Sequence, residues 1–455
     1  MQDNYSHEKK PAWEKMQSSE REIAEKFSHN YINFLSQCKT EREAIQWLKS
    51  DLKNSDQFHL SEFSSKAVAL TKFGKLPVEK GINIIIAHVD APRLDLKPSP
   101  LVEESELAFL KTHYYGGIKK YHWLNRPLAL HGYMILSDGK SLQFTIGENA
   151  DDPVFTIADL LPHLSKNVQS DKKISEAIPG EKLNILVGSL KLESNDKTKE
   201  NSVKLAILKL LHEKFNITEE DFISAEFEVV PAGPAREVGL DRSMVGGYGQ
   251  DDRICAWCAY QALMNTSELQ KTAMVVWIDK EEIGSAGNTG ADSVLISDAI
   301  LQVLKKSNSP VSYDLLRTTI QNSFCISADV ACAENPFNPE VLDKNNSAKL
   351  GYGVTIVKYT GVRGKSGAND AHAELMGKLR LIFNSQKVVW QSGELGKVDE
   401  GGGGTVAKYI AHWGIPTIDC GTPVISMHSP FEISHKADIY QTVKGYQAFF
   451  EQEEN

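Results

Sequence analysis

The stretch TAMVVWIDKEE, residues 272–282, predicts a buried strand that ends in two adjacent carboxylates. A short apolar run closed by polar residues is the pattern of a parallel strand that is covered on both faces. Three further stretches have the same form: INIIIAHVDAP (82–92), NSFCISADVA (322–331) and IPTIDCGTP (415–423). Together the four stretches predict the centre of a parallel sheet.

Helical patterns alternate with these strands. One at 254–263 precedes the strand at 272, and another at 296–306 follows it. Because such alternation is typical of βαβ units, we predict an α/β fold. The fold is expected to be a doubly wound, mostly parallel sheet with helices on both faces. Residues 13–50 predict two additional helices, and Thr40 followed by Glu43 gives the second of them a capping box.

Residues 101–241 have a different texture and predict an inserted, β-rich second domain. They contain alternating segments such as RPLALHGYMILSDGKSLQFTI (126–146), with a turn at Asp138 and Gly139. The lysine-rich part at 191–219 is predicted to be helical in its second half, and the run ESNDKTKENS (193–202) is expected to be a solvated loop. Residues 1–100 plus 242–455 are then expected to form the domain that contains the parallel sheet.

The composition is that of a globular protein, and its net negative charge does not favour polyanionic partners. The 455 residues are 41% apolar and carry a net charge of −10, which argues against nucleic acid or an anionic membrane as the main partner. The polar start MQDNYSHEKKPAWEK has no apolar core of a signal peptide, and no apolar run is long enough to span a bilayer. Six scattered cysteines do not suggest a disulfide framework, so we expect a cytoplasmic protein. Cys255 and Cys258 are interpreted as buried helical thiols rather than a redox pair.

Side chains able to bind a metal follow each of the four predicted strands. Ligands in open α/β sheets gather at the carboxyl ends of the strands, so we expect these side chains to converge. Asp251, in the loop segment GYGQDDR before a predicted helix, is a further candidate. The strand-end residues are His88 and Asp90, Glu281 and Glu282, Asp329, and His428 in GTPVISMHSPFE.

The spacing of these residues suggests distinct roles. His88 and Asp90 are two apart on an extended segment and point to the same side, so Asp90 can fix the tautomer of a metal-bound imidazole. Glu281 and Glu282 are adjacent and point in different directions, which favours a metal ligand and a separate proton acceptor. A single strand-end histidine or aspartate is more often a cap or a satisfied core group. Their recurrence at four strand ends instead favours a two-metal site with one bridging carboxylate.

Two glycine-containing segments and two further histidines give weaker functional signals. GVRGKSG (361–367) resembles the end of a phosphate-binding loop, but Tyr359 occupies the place of its first glycine, so we reject a nucleotide site. VDEGGGGTVAKYIAHWG (398–414) opens a helix at about Thr405, whose N–H groups either face a substrate carbonyl or belong to a flexible turn. His372 and Glu374 are expected on an exposed helix face, and His412 is expected to be an ordinary helical residue.

Five short motifs, which follow one another along residues 20–450, resemble those of a known protein family. They are AHVDAPRLDLKP, GQDDR, DKEEIGSAG, SADVA and MHSPFE. With them the chain resembles the aspartyl aminopeptidase and aminopeptidase I family of dinuclear zinc metallopeptidases. The resemblance implies two divalent ions per chain, with zinc expected and cobalt or manganese as alternatives.

Residue roles follow from this resemblance by motif position. His88 and Asp329 would hold one ion and Glu282 and His428 the other, with Asp251 as the bridge. Glu281 would be the general base, Asp90 would orient His88, and a cis peptide bond is expected between Asp251 and Asp252.

The resemblance also implies that the insertion is a dimerisation domain and that the dimers assemble into tetrahedral dodecamers. In the family a histidine of the insertion reaches the neighbouring active site, and His163 in FTIADLLPHLSK matches that residue. One departure concerns the third motif, because ACAENPFN, with Cys332 and Glu334, stands where many members have two histidines. By analogy Lys358 would contact an acidic substrate side chain, with a solvated strand lysine as the alternative.

The leading functional prediction is an aminopeptidase that removes an acidic or neutral N-terminal residue from peptides. A carboxypeptidase or an N-acyl amino acid deacylase could use the same dinuclear core, and an arginine-lined pocket for a substrate carboxylate would favour either. A catalytically silent shell protein is a third alternative, but it predicts the loss of a ligand or of the base, and all six are present.

Overall fold

The computed structural model describes residues 5, 9–52, 56–192, 202–309 and 311–452. The helices of these residues are α1 (Ala12–Lys15), α2 (Ser18–Gln37), α3 (Glu41–Asp51), α4 (Ile174–Ala177), α5 (Ser202–Phe215), α6 (Gln250–Asn265), α7 (Leu295–Lys306), α8 (Tyr313–Gln321), α9 (Ala373–Ser385), α10 (Ala407–His412) and α11 (Lys436–Phe450). The strands are β1 (Phe58–Phe63), β2 (Ala67–Lys72), β3 (Ile82–His88), β4 (Arg93–Glu104), β5 (Leu107–Tyr115), β6 (Leu128–Ile135), β7 (Ser141–Ile146), β8 (Ile185–Gly188), β9 (Glu226–Pro231), β10 (Arg236–Val238), β11 (Met244–Gly247), β12 (Thr272–Ile278), β13 (Phe324–Ser327), β14 (Ala331–Cys332), β15 (Val354–Val357), β16 (Gly361–Val362), β17 (Trp390–Ser392), β18 (Gly402–Gly403), β19 (Thr417–Gly421), β20 (Pro423–Ile425) and β21 (Glu432–His435).

The chain divides into two compact units. The first comprises residues 1–91, 235–427 and 431–455, and the second comprises residues 92–234 and 428–430. Spanning a bilayer takes roughly 20 apolar residues, and the helices in the described part of the chain do not offer such a stretch.

The first unit contains an eight-stranded sheet in the order β1-β2-β12-β3-β13-β19-β15-β17. The four strands predicted from the sequence are its central neighbours, and β12, β3, β13 and β19 run parallel to one another. The pairs β1–β2, β2–β12 and β15–β19 are antiparallel. The sheet is therefore mixed, with the predicted parallel arrangement at its centre.

Helices cover both faces of this sheet, as predicted. Ile84 and Ile86 of β3 are buried in one hydrophobic core with residues of α7, α8 and α10. Ile85 and Ala87 point to the other face and are buried with residues of α2, α6 and α11. Because side chains alternate along a strand, a strand whose successive residues Ile84, Ile85, Ile86 and Ala87 are all apolar requires this double cover. Burial of each isoleucine contributes about 1.5–3 kcal/mol.

The N-terminal helices are confirmed. α2 and α3 account for the two predicted helices, and the short α1 precedes them. Glu43 N donates to Thr40 Oγ1 over 3.2 Å, and Thr40 N donates to Glu43 Oε2 over 3.1 Å, which is the predicted capping box.

A second sheet of the first unit has five short strands in the order β10-β11-β21-β20-β14. Gly247 at the end of β11 pairs with Glu432 at the start of β21. Helix α6 begins three residues after β11, so this sheet lies directly beside the N-terminus of α6.

The second unit is built on a six-stranded sheet in the order β7-β6-β9-β4-β5-β8, in which neighbouring strands are antiparallel. Strands β6 and β7 form the predicted hairpin, and Gly139 at its turn has φ 84°. Helix α5 confirms the helical half predicted within 191–219. The run at 193–202, predicted to be a solvated loop, lies outside the described residues except for Ser202.

Candidate metal centre

His88 is the last residue of β3, and its ring is almost fully buried. Its Nδ1 lies 3.2 Å from the backbone oxygen of Asp90 and 3.5 Å from the Asp90 carboxylate. Nε2 faces the other way and lies 3.6 Å from Asp329 Oδ1. Asp90 thus holds the Nδ1 side of the ring through two acceptor groups, which leaves Nε2 directed at the neighbouring strand end.

The two glutamates occupy a short 3₁₀ turn, Glu281–Ile283, directly after β12. Lys280 enters this turn with φ 69°, so the chain reverses at once after the strand. The turn is anchored by Asp90, since Glu281 N donates to Asp90 Oδ1 over 3.1 Å and Glu282 N donates to Asp90 Oδ2 over 3.2 Å. One buried carboxylate therefore positions both the histidine and the glutamate pair, and the second of these roles was not foreseen from the sequence.

Asp251 lies at the centre of the predicted ligands of the first unit. It belongs to the first turn of α6 and is buried. Ligand atoms of His88, Asp251 and Asp329 all lie within 4.8 Å of one another, and ligand oxygens of Asp251 and Glu282 are equally close. Asp251 is therefore shared between the His88 side and the Glu282 side of the cluster.

The electrostatics of the cluster favour a cation. Burial raises the pKa of Glu281 to about 8, and Asp329, Asp90 and Asp251 push it in the same direction against the opposing effect of His88. Carboxylates this close repel one another unless positive charge is placed between them. The cluster also combines the imidazole and carboxylate ligands that zinc accepts.

Asp252 gives a second indication that the residues fit a metal. Burial, followed by the charge of Asp251, raises the pKa of Asp252 to about 7. Both of its carboxylate oxygens are buried without a hydrogen-bond partner among the described residues, and Oδ1 lies 3.8 Å from His88 Nδ1. A buried acid in this state is costly unless nearby positive charge compensates for it.

His428 is assigned to the second unit with the segment 428–430. Its Nδ1 lies 2.9 Å from the backbone oxygen of Gly117, and its backbone has φ 60°. A Cβ on Gly117 would lie 3.1 Å from this ring nitrogen, so glycine allows the close approach. A hydrogen bond at Nδ1 fixes the tautomer that leaves Nε2 able to bind a metal.

The remaining candidate residues, His163, Lys358, His372 and Glu374, are described by their exposure and their nearest charged partners. His163 is exposed in a short 3₁₀ turn, Pro162–Leu164, of the second unit. Lys358 follows β15, and its Nζ lies 3.5 Å from Asp370 Oδ1. His372 and Glu374 are exposed at the start of α9, as predicted. The assignments of His163 and Lys358 to substrate binding stay predictions.

The glycine-rich segment does precede a helix, since α10 begins at Ala407. Thr405 Oγ1 accepts a hydrogen bond from Ala407 N over 3.3 Å and donates one to Asp419 Oδ1 over 2.7 Å. Tyr409 donates from its hydroxyl to the backbone oxygen of Gly284, which follows the glutamate turn, over 2.9 Å. Thr405 thus links the first N–H of this helix to β19, and Tyr409 links the helix to the end of the glutamate turn.

The expected cis peptide bond between Asp251 and Asp252 is wrong. The peptide bonds of the described residues are trans, including this one. Both residues belong to the first turn of α6, where regular helical backbone is compatible with the ordinary trans bond.

Two residues near the site received no role from the sequence. The sequence pattern gives Asp252 no role of its own, because Asp251 beside it is the predicted metal ligand. Glu432 is the last residue of the motif MHSPFE, but four positions separate it from His428 and it does not follow a predicted strand. The structure places Glu432 at the N-terminus of α6, where Asp251 N donates to its Oε2 over 3.2 Å.

Substitution of Gly421 should test the packing behind Asp329. A Cβ at this position would lie 2.0 Å from the backbone oxygen of Asp329 and 2.6 Å from Cys255 Sγ. We expect Gly421→Ala to displace Asp329 and to lower the zinc content of the purified protein, measured by atomic emission. Gly377→Ala is the matched control, because its added Cβ would have no atom of the described part of the chain within 4 Å. Equal zinc contents for the two variants would contradict this role of Gly421.

A parallel-centred α/β sheet with a buried histidine and several carboxylates at its strand ends fits a metal-dependent hydrolase. Residues 15–450 match the family described as aminopeptidase I zinc metalloprotease (M18). The chain belongs to the M18 family of aminopeptidases, which are metallo-hydrolases that act on peptide bonds.

Similar proteins span essentially the whole chain. “Probable M18 family aminopeptidase 1” of Borreliella afzelii is 46% identical over 462 residues, which cover 98% of this chain and 100% of that protein. The protein of the same name from Thermotoga maritima is 46% identical over 456 residues, covering 98% of this chain and 99% of that protein. A crystal structure of the Thermotoga maritima M18 aminopeptidase superimposes with a TM-score of 0.92 at 45% identity, covering 98% of this chain and 100% of that one. Aminopeptidase I from Clostridium acetobutylicum gives 0.91 at 40% identity, with the same coverage.

These similarities confirm the predicted family and the aminopeptidase activity. They do not support the carboxypeptidase, the deacylase or the silent shell protein as alternatives. Family membership also implies a metal cofactor, and the family description names zinc.

Proposed function

We propose that the protein hydrolyses the N-terminal peptide bond of peptides at a dinuclear site with Asp251 as the bridging ligand. His88 and Asp329 would hold one ion, and Glu282 and His428 would hold the other. The observation that carries this assignment is the position of Asp251, whose ligand oxygens lie within 4.8 Å both of His88 and Asp329 and of Glu282. The order of the motifs supports His428 as the last ligand.

Glu281 is the general base in this proposal. When bound, the ions polarise the scissile carbonyl and lower the pKa of the attacking water. Glu281 accepts a proton from this water as its oxygen adds to the carbonyl carbon, and it returns the proton to the leaving nitrogen when the C–N bond breaks. Asp90 keeps Glu281 in place through the backbone N–H contact described above.

The substrate is a peptide with a free amino terminus and an acidic or neutral first residue. A cluster rich in carboxylates attracts the ammonium group of such a substrate, and Lys358 would provide a cation for an acidic side chain. Cys332 is half-buried on β14, and Glu334 lies two residues further along the chain. Both are expected to shape the preference for the first residue.

Activity on matched peptide pairs tests this function. We expect release of the first residue from free peptides and not from their N-acetylated forms, loss of release after chelator treatment, and recovery with about two equivalents of zinc per chain. Cobalt and manganese serve as the alternative ions in the add-back. Cleavage of acetylated substrates, or activity that persists without metal, would refute the proposal.

Self-association through the inserted domain, residues 101–241, is part of the proposed function. Apolar side chains around His163 are exposed in the single chain, and Leu161 and Leu164 are 50% and 64% exposed. Exposed apolar side chains grouped in this way are typical of an interaction surface. We propose that this surface forms a dimer, that His163 reaches the partner's active site, and that dimers assemble into a tetrahedral dodecamer. A dodecamer is described for S. cerevesiae mApe1, which is 21% identical and shares the fold with a TM-score of 0.73.

We place the enzyme in the cytoplasm. All six cysteines are free thiols, and five of them are buried. Burial raises the pKa of Cys255 to about 12, so this thiol of the C-x-x-C pair is unreactive. Reduced thiols are typical of a protein kept in a reducing compartment.

A further inference from the structure

Glu432 is a buried carboxylate that contacts the backbone at the start of α6, beside the metal site. Its side chain is 1% exposed, and its Oε2 accepts hydrogen bonds from Gln250 N over 2.5 Å and from Asp251 N over 3.2 Å. We infer that Glu432, the first residue of β21, is a positioning residue: it caps the N-terminus of α6 and thereby fixes the bridging carboxylate of Asp251. This inference rests on the proposed role of Asp251.

Helix α6 lacks a cap of its own. Its N-cap residue is Gly249, with φ 76°, and no side chain at that position accepts a hydrogen bond. The first N–H groups of a helix need acceptors, and these groups carry partial positive charge that favours an anion. Glu432 satisfies two of them. A Cβ on Gly249 would lie 1.7 Å from Arg253 Nη1, so a capping side chain cannot simply be added there.

The capped end is held in a rigid frame. Gln250 Nε2 donates to the backbone oxygens of Glu432 over 2.6 Å and of Val245 over 3.1 Å, and Ser434 Oγ donates to Gln250 Oε1 over 2.6 Å. These contacts join the start of α6 to both β11 and β21. Asp251 is the next residue, so its side chain leaves the helix from a backbone that is fixed on two sides.

A carboxylate at this place has a cost. Burial raises the pKa of Glu432 well above its usual range, and the charges of Asp252 and Asp251 act in the same direction. A purely structural helix cap would not need to lie among other carboxylates. Bridging ligands must be placed to within about 0.5 Å for productive metal binding, and an outer-shell partner that places a ligand typically contributes about 10- to 100-fold in affinity.

Zinc affinity measured on the full-length, chelator-stripped protein tests the inference. We expect Glu432→Ala to weaken zinc binding by about 10- to 100-fold in a competition titration with a chromophoric chelator. Glu432→Gln keeps an acceptor oxygen and should stay within about threefold of the original affinity. The matched control is Asp438→Ala, which removes another buried carboxylate that caps backbone N–H groups, those of Gly351 and Gly353 at 2.6 Å each.

The variants separate positioning from general stability. Asp438→Ala and Glu432→Ala should both lower the melting temperature of the metal-free protein, because each leaves backbone N–H groups without their acceptor. Asp438→Ala should nevertheless leave zinc affinity unchanged. Should Glu432→Ala fail to fold, Glu432→Asp moves the acceptor by about one methylene and should weaken binding by a smaller factor. Unchanged zinc affinity in folded Glu432→Ala or Glu432→Asp overturns the inference. Failure of the unmodified protein to bind two ions would instead overturn the proposed dinuclear site.

Discussion

Glu281→Gln should retain both zinc ions and lose about a thousandfold in kcat, since general acid–base groups contribute roughly 10²–10⁴-fold. Glutamine has nearly the same shape and cannot accept the proton of the attacking water. Asp90 accepts the backbone N–H of residue 281, so the substitution leaves the turn anchored. Zinc content by atomic emission and kcat from peptide release are the two measurements.

Two comparisons make this result specific. Glu282→Gln alters the adjacent carboxylate, a metal ligand in our assignment, and should lower zinc content as well as activity. Asp292→Asn neutralises an exposed carboxylate of the same loop region and should change neither quantity. A Glu281→Gln enzyme with kcat within tenfold of the original would show that another group takes the proton.

The parallel centre of the fold could be predicted from the sequence because a strand buried on both faces requires a run of consecutive apolar residues. In β3 and β12 the residues are apolar with the exception of Asn83, His88 and Thr272, and both strands were predicted on that basis. The outer strands β15 and β17 were not predicted. β17 has three residues, which are too few to show a period.

The clustering of the candidate side chains was predictable where these side chains follow buried strands directly. His88 and Asp329 each come at or shortly after the end of such a strand, and the structure brings their ligand atoms together with those of Asp251. Glu432 was not predictable in this way, because it acts through backbone N–H groups of a helix remote in sequence. The double role of Asp90 also required coordinates, since a pattern cannot show which backbone groups a carboxylate meets.

Asp251→Asn should abolish binding of both ions, because in the proposed dinuclear site the Asp251 carboxylate is the ligand that the two ions share. Activity should fall below detection, and the rise in melting temperature on zinc addition should disappear. Asp438→Asn, which neutralises a buried carboxyl group with no assigned role in metal binding, should leave the zinc stoichiometry unchanged. Retention of two ions by Asp251→Asn would contradict the bridging role.

The same variant should be more stable than the original protein when both are free of metal. In the folded chain Asp252 has its pKa raised to about 7 by burial and by the charge of Asp251, whereas an unfolded aspartate titrates near 4. The folded state therefore holds this proton more tightly, so the metal-free protein should lose stability as the pH rises from about 4 to about 7. Asp251→Asn removes one source of the repulsion and should flatten this loss, raising the metal-free melting temperature at pH 7.

Bound zinc should reverse the order of the two melting temperatures, because only the original protein can use the cation to offset its clustered carboxylates. Melting curves across this pH range would establish the direction of the change in melting temperature both without and with zinc. Equal metal-free stabilities at pH 7 would show that Asp251 is not a source of destabilising repulsion.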